Sequence, residues 1–291
     1  MTATTAIRPA GTRKEPRATV TVIGRTPRWQ IYTPLGLYLL FTLIPFYWIL
    51  LFALRPTGST SLVPWPVTFE HFDKVWTERS FATFFQNSLL VGVVSMVMTT
   101  LVALAGGYAL ARFDFKVKRA FMLALLCSQF IPGALMLVPL FEIFAELRMI
   151  NSLASVIVAE TVFQLPLSMI LISGFIKNVP YVLEEAAWVD GCGRFRAFCA
   201  VVLPMLRPGL IAVGSFAFVH SWNHFLFALM FLSDQGKQTI PVGLATLMGA
   251  DSVDLGALAA GGVVAAVPVV IVFAFIQKWL VTGFSAGAVK G

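Results

Sequence analysis

The sequence predicts an all-α polytopic membrane protein, with six transmembrane helices and a cytoplasmic loop of short helices between the fourth and the fifth. Three observations carry that prediction. Hydrophobic residues make up 58% of the 291 residues and charged residues only 12%, about half the charged share of an average soluble domain. Runs free of charge recur at the length of about 20 residues that a helix needs to cross a hydrocarbon core of about 30 Å. The basic residues collect on alternate connections between those runs. No period-two alternation of the kind a transmembrane barrel requires passes through them.

Residues 1–28 carry Arg8, Arg13, Lys14, Arg17, Arg25 and Arg28 without the apolar core or cleavage site of a signal peptide. They read as a disordered basic cytoplasmic arm, and 29–291 as the transmembrane domain. The first span is 31–54. A polar segment with Pro56, Pro64 and Pro66 follows, in which 64–79 mixes aromatics with charges; it suits either an amphipathic stretch at the outer interface or a plain connecting loop. The charge-free run 81–111 places the second span at 84–111. After the charged turn 112–119, the third span is 120–141, kinked at Pro132 and Pro139. A turn over 142–151 leads to the fourth span, 152–176. The fifth is 209–232, an exposed loop takes 233–255, and the sixth is 256–276, bent at Pro268.

Six crossings put both termini on one side, and the excess of Lys and Arg marks the cytoplasmic side. Sixteen of the 21 basic residues fall on the side of the termini, and Arg55, Lys74, Arg79, Arg148 and Lys237 fall on the other. The termini and the connection between spans four and five are therefore expected in the cytoplasm. The net charge of +7 is sorted by side of the membrane, which argues against nucleic acid as its partner. Cys127, Cys192 and Cys199 show neither disulfide nor metal-ligand spacing.

The connection 180–208 (PYVLEEAAWVDGCGRFRAFCAVVLPMLRP) joins charge, helix punctuation and amphipathic spacing. Pro180 can open a helix, Glu184 and Glu185 suit the positive end of its dipole, and Asp190-Gly191 reads as its stop. A second amphipathic run puts Phe195, Phe198, Cys199 and Val202 on one face, closed by Pro204 and Pro208. Two short helices joined at Gly191, held between spans, make a knob shaped to fit a groove in another protein.

Glu185-Ala186-Ala187, then Asp190-Gly191, then nine residues to Val201-Val202-Leu203-Pro204, resembles the EAA loop of importer permeases of the ATP-binding cassette (ABC) class. Cys192 stands where that family has Ala, and Val201 where it has Ile. The closing residues Gln277 to Gly283 and Gly287 to Gly291 are similar to the tail of maltose-type sugar permeases, as are Asn87-Ser88-Leu89 and Tyr108-Ala109-Leu110-Ala111-Arg112. The likeness covers 30–291. It implies a subunit in a bacterial cytoplasmic (inner) membrane, surrounded by lipid. Its partners would be a homologous permease subunit in a heterodimer, two ATPase subunits that bind the ATP and Mg, and an extracytoplasmic substrate-binding protein. It also implies that Glu184, Glu185, Ala186, Ala187, Asp190, Gly191 and Pro204 couple the spans to an ATPase, with Glu184 and Glu185 contacting it. Gly287, Val289 and Lys290 would reach the ATPase interface. The cargo implied is a sugar or oligosaccharide, with polyols or glycerol phosphate as the alternative.

The residues themselves offer no energy source. No G-x-x-x-x-G-K-[ST] phosphate loop occurs, and the Gly236-Lys237 pair is followed by Gln238. No nucleophile, base and orienter assemble, so neither an enzyme nor a bound cofactor is expected in this chain; a membrane-embedded enzyme or a channel remains the rival class. Two polar places interrupt the spans. Glu160 lies eight residues into span four, a rise of about 12 Å, and fits either a structural or partner contact or the substrate pathway. In span five, His220, Asn223 and His224 share one helical face, flanked by Trp222. Amides and imidazoles beside aromatic rings suit a sugar pathway, and polar side chains between helices suit packing equally. The histidine pair lacks a third ligand, so no metal site is expected.

Overall fold

The computed structural model describes residues 28–77, 80–248 and 253–288, the side chains of Arg28 and 279–288 excepted. Most of the expected basic arm, and Val289 and Lys290 of the tail, lie outside the described residues. The chain forms two compact units, Met1–Phe46 and Tyr47–Gly291. The described part of the first is the beginning of helix α1 (Arg28–Leu54), and its side chains are exposed.

The second unit is mostly helical, with no strand among its described residues. After α1 come α2 (Glu70–Thr77), α3 (Phe81–Arg112), α4 (Lys118–Ser128), α5 (Leu137–Glu146) and α6 (Leu153–Lys177). The loop between spans contributes α7 (Val182–Val189), α8 (Arg194–Ala197), a π-helical turn at Phe198–Val202 and α9 (Leu203–Met205). Then follow α10 (Arg207–Asn223), α11 (Leu226–Phe231), α12 (Ile240–Met248) and α13 (Leu255–Ala288). Among the described residues four helices are long and apolar enough to cross a membrane: Trp29–Leu54, Phe81–Arg112, Leu153–Lys177 and Leu255–Lys278. Two bent pairs bring the possible crossings to six.

The longest seam is α3 against α6, and α10 packs on both. Small side chains permit it. A Cβ on Gly107 would stand 2.7 Å from Ile172 Cγ2, and one on Gly209 would stand 2.6 Å from the Phe175 ring. Ser95, Thr99, Ser168 and Ser173 are buried along these helices, as expected where apolar lipid gives helices no hydrophobic reason to associate and close approach must do so instead.

Three expectations change. The expected third span is two helices, with α4 and the Gly133–Glu146 segment meeting at 96°. Pro132, which lacks an N–H and holds the residue before it out of the helical region, marks the break, while Pro139 sits without trouble in the first turn of α5. The expected fifth span likewise breaks at His224, whose backbone is extended. Finally, of the expected exposed loop 233–255, residues 233–236 keep that character and 237–248 are held against the bundle. Ser88 Oγ accepts from Ile240 N at 2.8 Å, Asn87 donates to the carbonyls of Gly236 and Gln238, and Lys237 donates to Asn151 O. The α12 that follows buries Ile240, Val242 and Leu247. Within 64–79, expected as an amphipathic stretch or a plain loop, Glu70–Thr77 forms a helix: α2 buries His71 and Val75 and packs on α13. Lys74 meets Asp254 at 2.6 Å, and that hydrogen bond holds the Asp254 carboxyl below its usual range against the opposing effect of burial.

Candidate functional site

The knob between α6 and α10 folds around Gly191. Its φ of +85° is the left-handed conformation that ends a helix, which glycine adopts without a steric penalty. Helix α7 ends there, with Asp190 as its exposed last cap and Cys192 N reaching back to Ala187 O at 2.9 Å. Glu185 and Ala186 face solvent and Ala187 is half-buried. The second run does not keep one face. Phe195 is 81% exposed while Val202 is fully buried, because the π-helical turn at 198–202 resets the helical phase between them. Half-buried Pro204 follows at the start of α9. Tyr181, Val182, Val189 and Phe195 leave an apolar outer surface on the knob.

Glu184 departs from expectation. It does not face a partner: it is 1% exposed, with Oε1 accepting from Arg112 Nε at 2.6 Å and Oε2 accepting from Tyr108 Oη at 2.7 Å. Arg112 also donates to Val179 O at 2.9 Å, and its guanidinium lies over the Tyr181 ring. The carboxylate turns inward because a cation and a phenol at the end of α3 satisfy it there, and burial without them would be costly. Tyr108 and Arg112 carry no assigned role in the sequence. The signal that could have found Arg112 is its place as the first charge after a charge-free run, opposite the doubled acid of the knob.

The second candidate lies where the two broken spans meet. A cavity of about 160 Å³ is lined by Ser128, Gln129, Ile131 and Gly133 from the α4–α5 break, by Phe163 of α6, and by His220, His224 and Phe227 of α10 and α11. Irregular backbone at membrane depth is tolerated where it is buried or lines a cavity. Against the two histidines, Glu160 is 0% exposed. His220 Nδ1 stands 3.2 Å from its Oε2 and His224 Nδ1 stands 2.7 Å from its Oε1. The His224 contact is close but misaligned for a hydrogen bond, since both atoms count as unpartnered by direction. Gln164 Nε2 adds a long 3.4 Å contact. The two imidazoles stack at 5.5 Å.

The structure thus unites Glu160, His220 and His224 and separates the rest of the span-five group. Trp222 is 2% exposed and donates Nε1–H to Ala265 O of α13 at 3.0 Å, a packing role. Asn223 turns outward and donates to Val219 O in its own helix. Among the described residues no group of three His, Cys, Asp or Glu side chains, Glu160 and the two histidines included, is arranged to hold a metal ion.

Residues 100–286 match the family described as binding-protein-dependent transport system inner membrane component. DasC, a diacetylchitobiose uptake system permease protein of Streptomyces coelicolor, is 36% identical over 252 residues, 85% of this chain and 91% of DasC. MelC, a melibiose/raffinose/stachyose import permease protein of Bacillus subtilis, is 33% identical over 252 residues, again 85% of this chain and 91% of the relative. A chain in the crystal structure of a bacterial ABC transporter involved in the import of the acidic polysaccharide alginate has the same fold. Its TM-score is 0.73 at 19% identity, over 87% of this chain and 98% of that one. The chain therefore belongs to the inner-membrane components of binding-protein-dependent transport systems: it is an ABC importer permease, a transport component and not an enzyme.

Proposed function

We propose that the chain is one of two homologous permease subunits of an importer for a sugar or oligosaccharide, delivered by an extracytoplasmic binding protein and driven by two cytoplasmic ATPase subunits that bind ATP and Mg. The saccharide cargo is supported by the names of relatives that take up diacetylchitobiose and melibiose. The sided excess of basic residues supports cytoplasmic termini and a cytoplasmic knob.

One observation carries the coupling: Glu184 of α7 is locked to Arg112 of α3 in a buried ion pair at 2.6 Å. A knob joined to the bundle only by flexible connections would swing without moving a span. Locked at α7, it passes a displacement of the ATPase directly to α3, and through the α3–α6 seam to the bundle. Glu185, Ala186 and the exposed apolar residues form the outer surface that a cleft in the ATPase would take. Gly191 sets the angle between the two halves, and Asp190 and Pro204 bound them. The tail, Gly287 with Val289 and Lys290, adds a second contact to the ATPase. Closure of the ATPase pair on nucleotide then rocks the spans between inward- and outward-facing arrangements.

Gly191→Val tests this. A Cβ at Gly191 meets nothing within 4 Å, so the variant's strain is confined to the backbone, at about 1–2 kcal/mol for a left-handed non-glycine residue. The protein is expected to insert and assemble while cargo-stimulated ATP hydrolysis in the reconstituted complex is lost. Full transport by Gly191→Val would sink the coupling role.

A further inference from the structure

The cavity beside Glu160 has features that packing alone leaves unexplained. Two separate helix breaks converge on it, and discontinuous helices are where transporters build ligand sites. A fully buried carboxylate is costly unless it is paired, and here its two partners are imidazoles that are themselves only partly covered, with 39% of the His220 side chain and 22% of the His224 side chain exposed. Each ring turns Nδ1 to the carboxylate. Both rings also line the cavity, so each is shared between the buried carboxylate and the open space. Gln129 and Ser128 add an amide and a hydroxyl, and Phe163 and Phe227 add aromatic walls.

We propose that this cavity is a subsite of the subunit for one uncharged sugar unit, with Glu160 as the positioning residue that holds both imidazoles. The proposal rests on the importer assignment above. The chemistry of the lining selects the ligand. Imidazole, amide and hydroxyl groups match ring hydroxyls, which both donate and accept, while the phenylalanines cover the apolar face of a pyranose. No lysine or arginine lines the cavity, and Glu160 stands against two of its lining side chains, His220 and His224. The lining therefore offers a carboxylated or phosphorylated cargo no permanently charged cation. At about 160 Å³ the space is below the 300–1,000 Å³ of sites for drug-sized ligands, so it fits one residue of an oligosaccharide and not the whole chain.

The test uses the complete complex in liposomes, with Cys127, Cys192 and Cys199 replaced by Ser and Gln129→Cys as reporter. Labelling of that cysteine by a small neutral thiol reagent is followed during turnover with diacetylchitobiose, raffinose, melibiose or glycerol 3-phosphate. The expected result is that a transported sugar slows labelling at least fivefold, that glycerol 3-phosphate does not, and that Glu160→Gln abolishes the protection at matched complex yield. Transport of a sugar with no protection at position 129, or protection that survives in Glu160→Gln, overturns the subsite and leaves the importer standing. Movement of glycerol 3-phosphate but of none of these sugars by the unsubstituted complex overturns the saccharide cargo and the subsite with it.

Discussion

At the scale of single residues, Glu184 and Arg112 bear the clearest consequence. Both side chains are nearly inaccessible, at 1% and 8%, and losing one partner of a buried pair costs about 3–5 kcal/mol because the other charge is stranded. Glu184→Gln is expected to lower complex yield and to uncouple the remainder, raising ATP hydrolyzed per sugar moved. The double exchange Glu184→Arg with Arg112→Glu is expected to recover part of both, and no recovery relative to either single change would count against the strut. The sequence made Glu184 and Glu185 look alike, since acids in the first turn of a helix satisfy its dipole whichever way they point. Only a cation brought from 72 positions upstream distinguishes them. Glu160 and the histidines were legible as polar interruptions of apolar spans. Their meeting was not, because it depends on how α6 and α10 are rotated against one another.

At the scale of elements, the close seams should be the least tolerant. Gly107 faces Ile172 and the backbone N of Ser173, which would lie 3.1 Å from an added Cβ. Gly107→Leu is therefore expected to push α3 from α6 and cut the yield of folded protein severalfold in detergent extracts, whereas Gly174→Leu, with open space around it, should leave yield unchanged. The long charge-free runs revealed α1, α3, α6 and α13 because hydropathy sums over many residues. The break between α4 and α5 was foreshadowed only as a kink at Pro132, since composition carries no bend angle. The segment after span five misled by its polar beginning: Asp234, Gly236 and Lys237 suggest a loop, yet Asn87, Ser88 and Asn151 hold it by hydrogen bonds that no local pattern encodes.

At the scale of the whole molecule, the charge asymmetry predicts sidedness. In a cysteine-free background, Gly191→Cys is expected to react with an impermeant thiol reagent only in inside-out vesicles, and Gln235→Cys only in right-side-out ones. The reverse pattern would place the knob outside and remove the ATPase from its reach. The all-helical membrane fold and the family were legible from composition and the EAA-like spacing, because both survive averaging over the chain. The inner cavity depends on two distant helix breaks arriving at one place, and that is a property of the folded state. The wide turn at 198–202 also acts as a timing mark. Each residue inserted or removed there turns the rest of that helix, up to its 75° bend into α10, by about 100°. Shortening it by one would restore an ordinary helix and rotate the buried Leu206 out of the core it packs in. One surplus residue thus decides which face of the knob's second half the bundle receives.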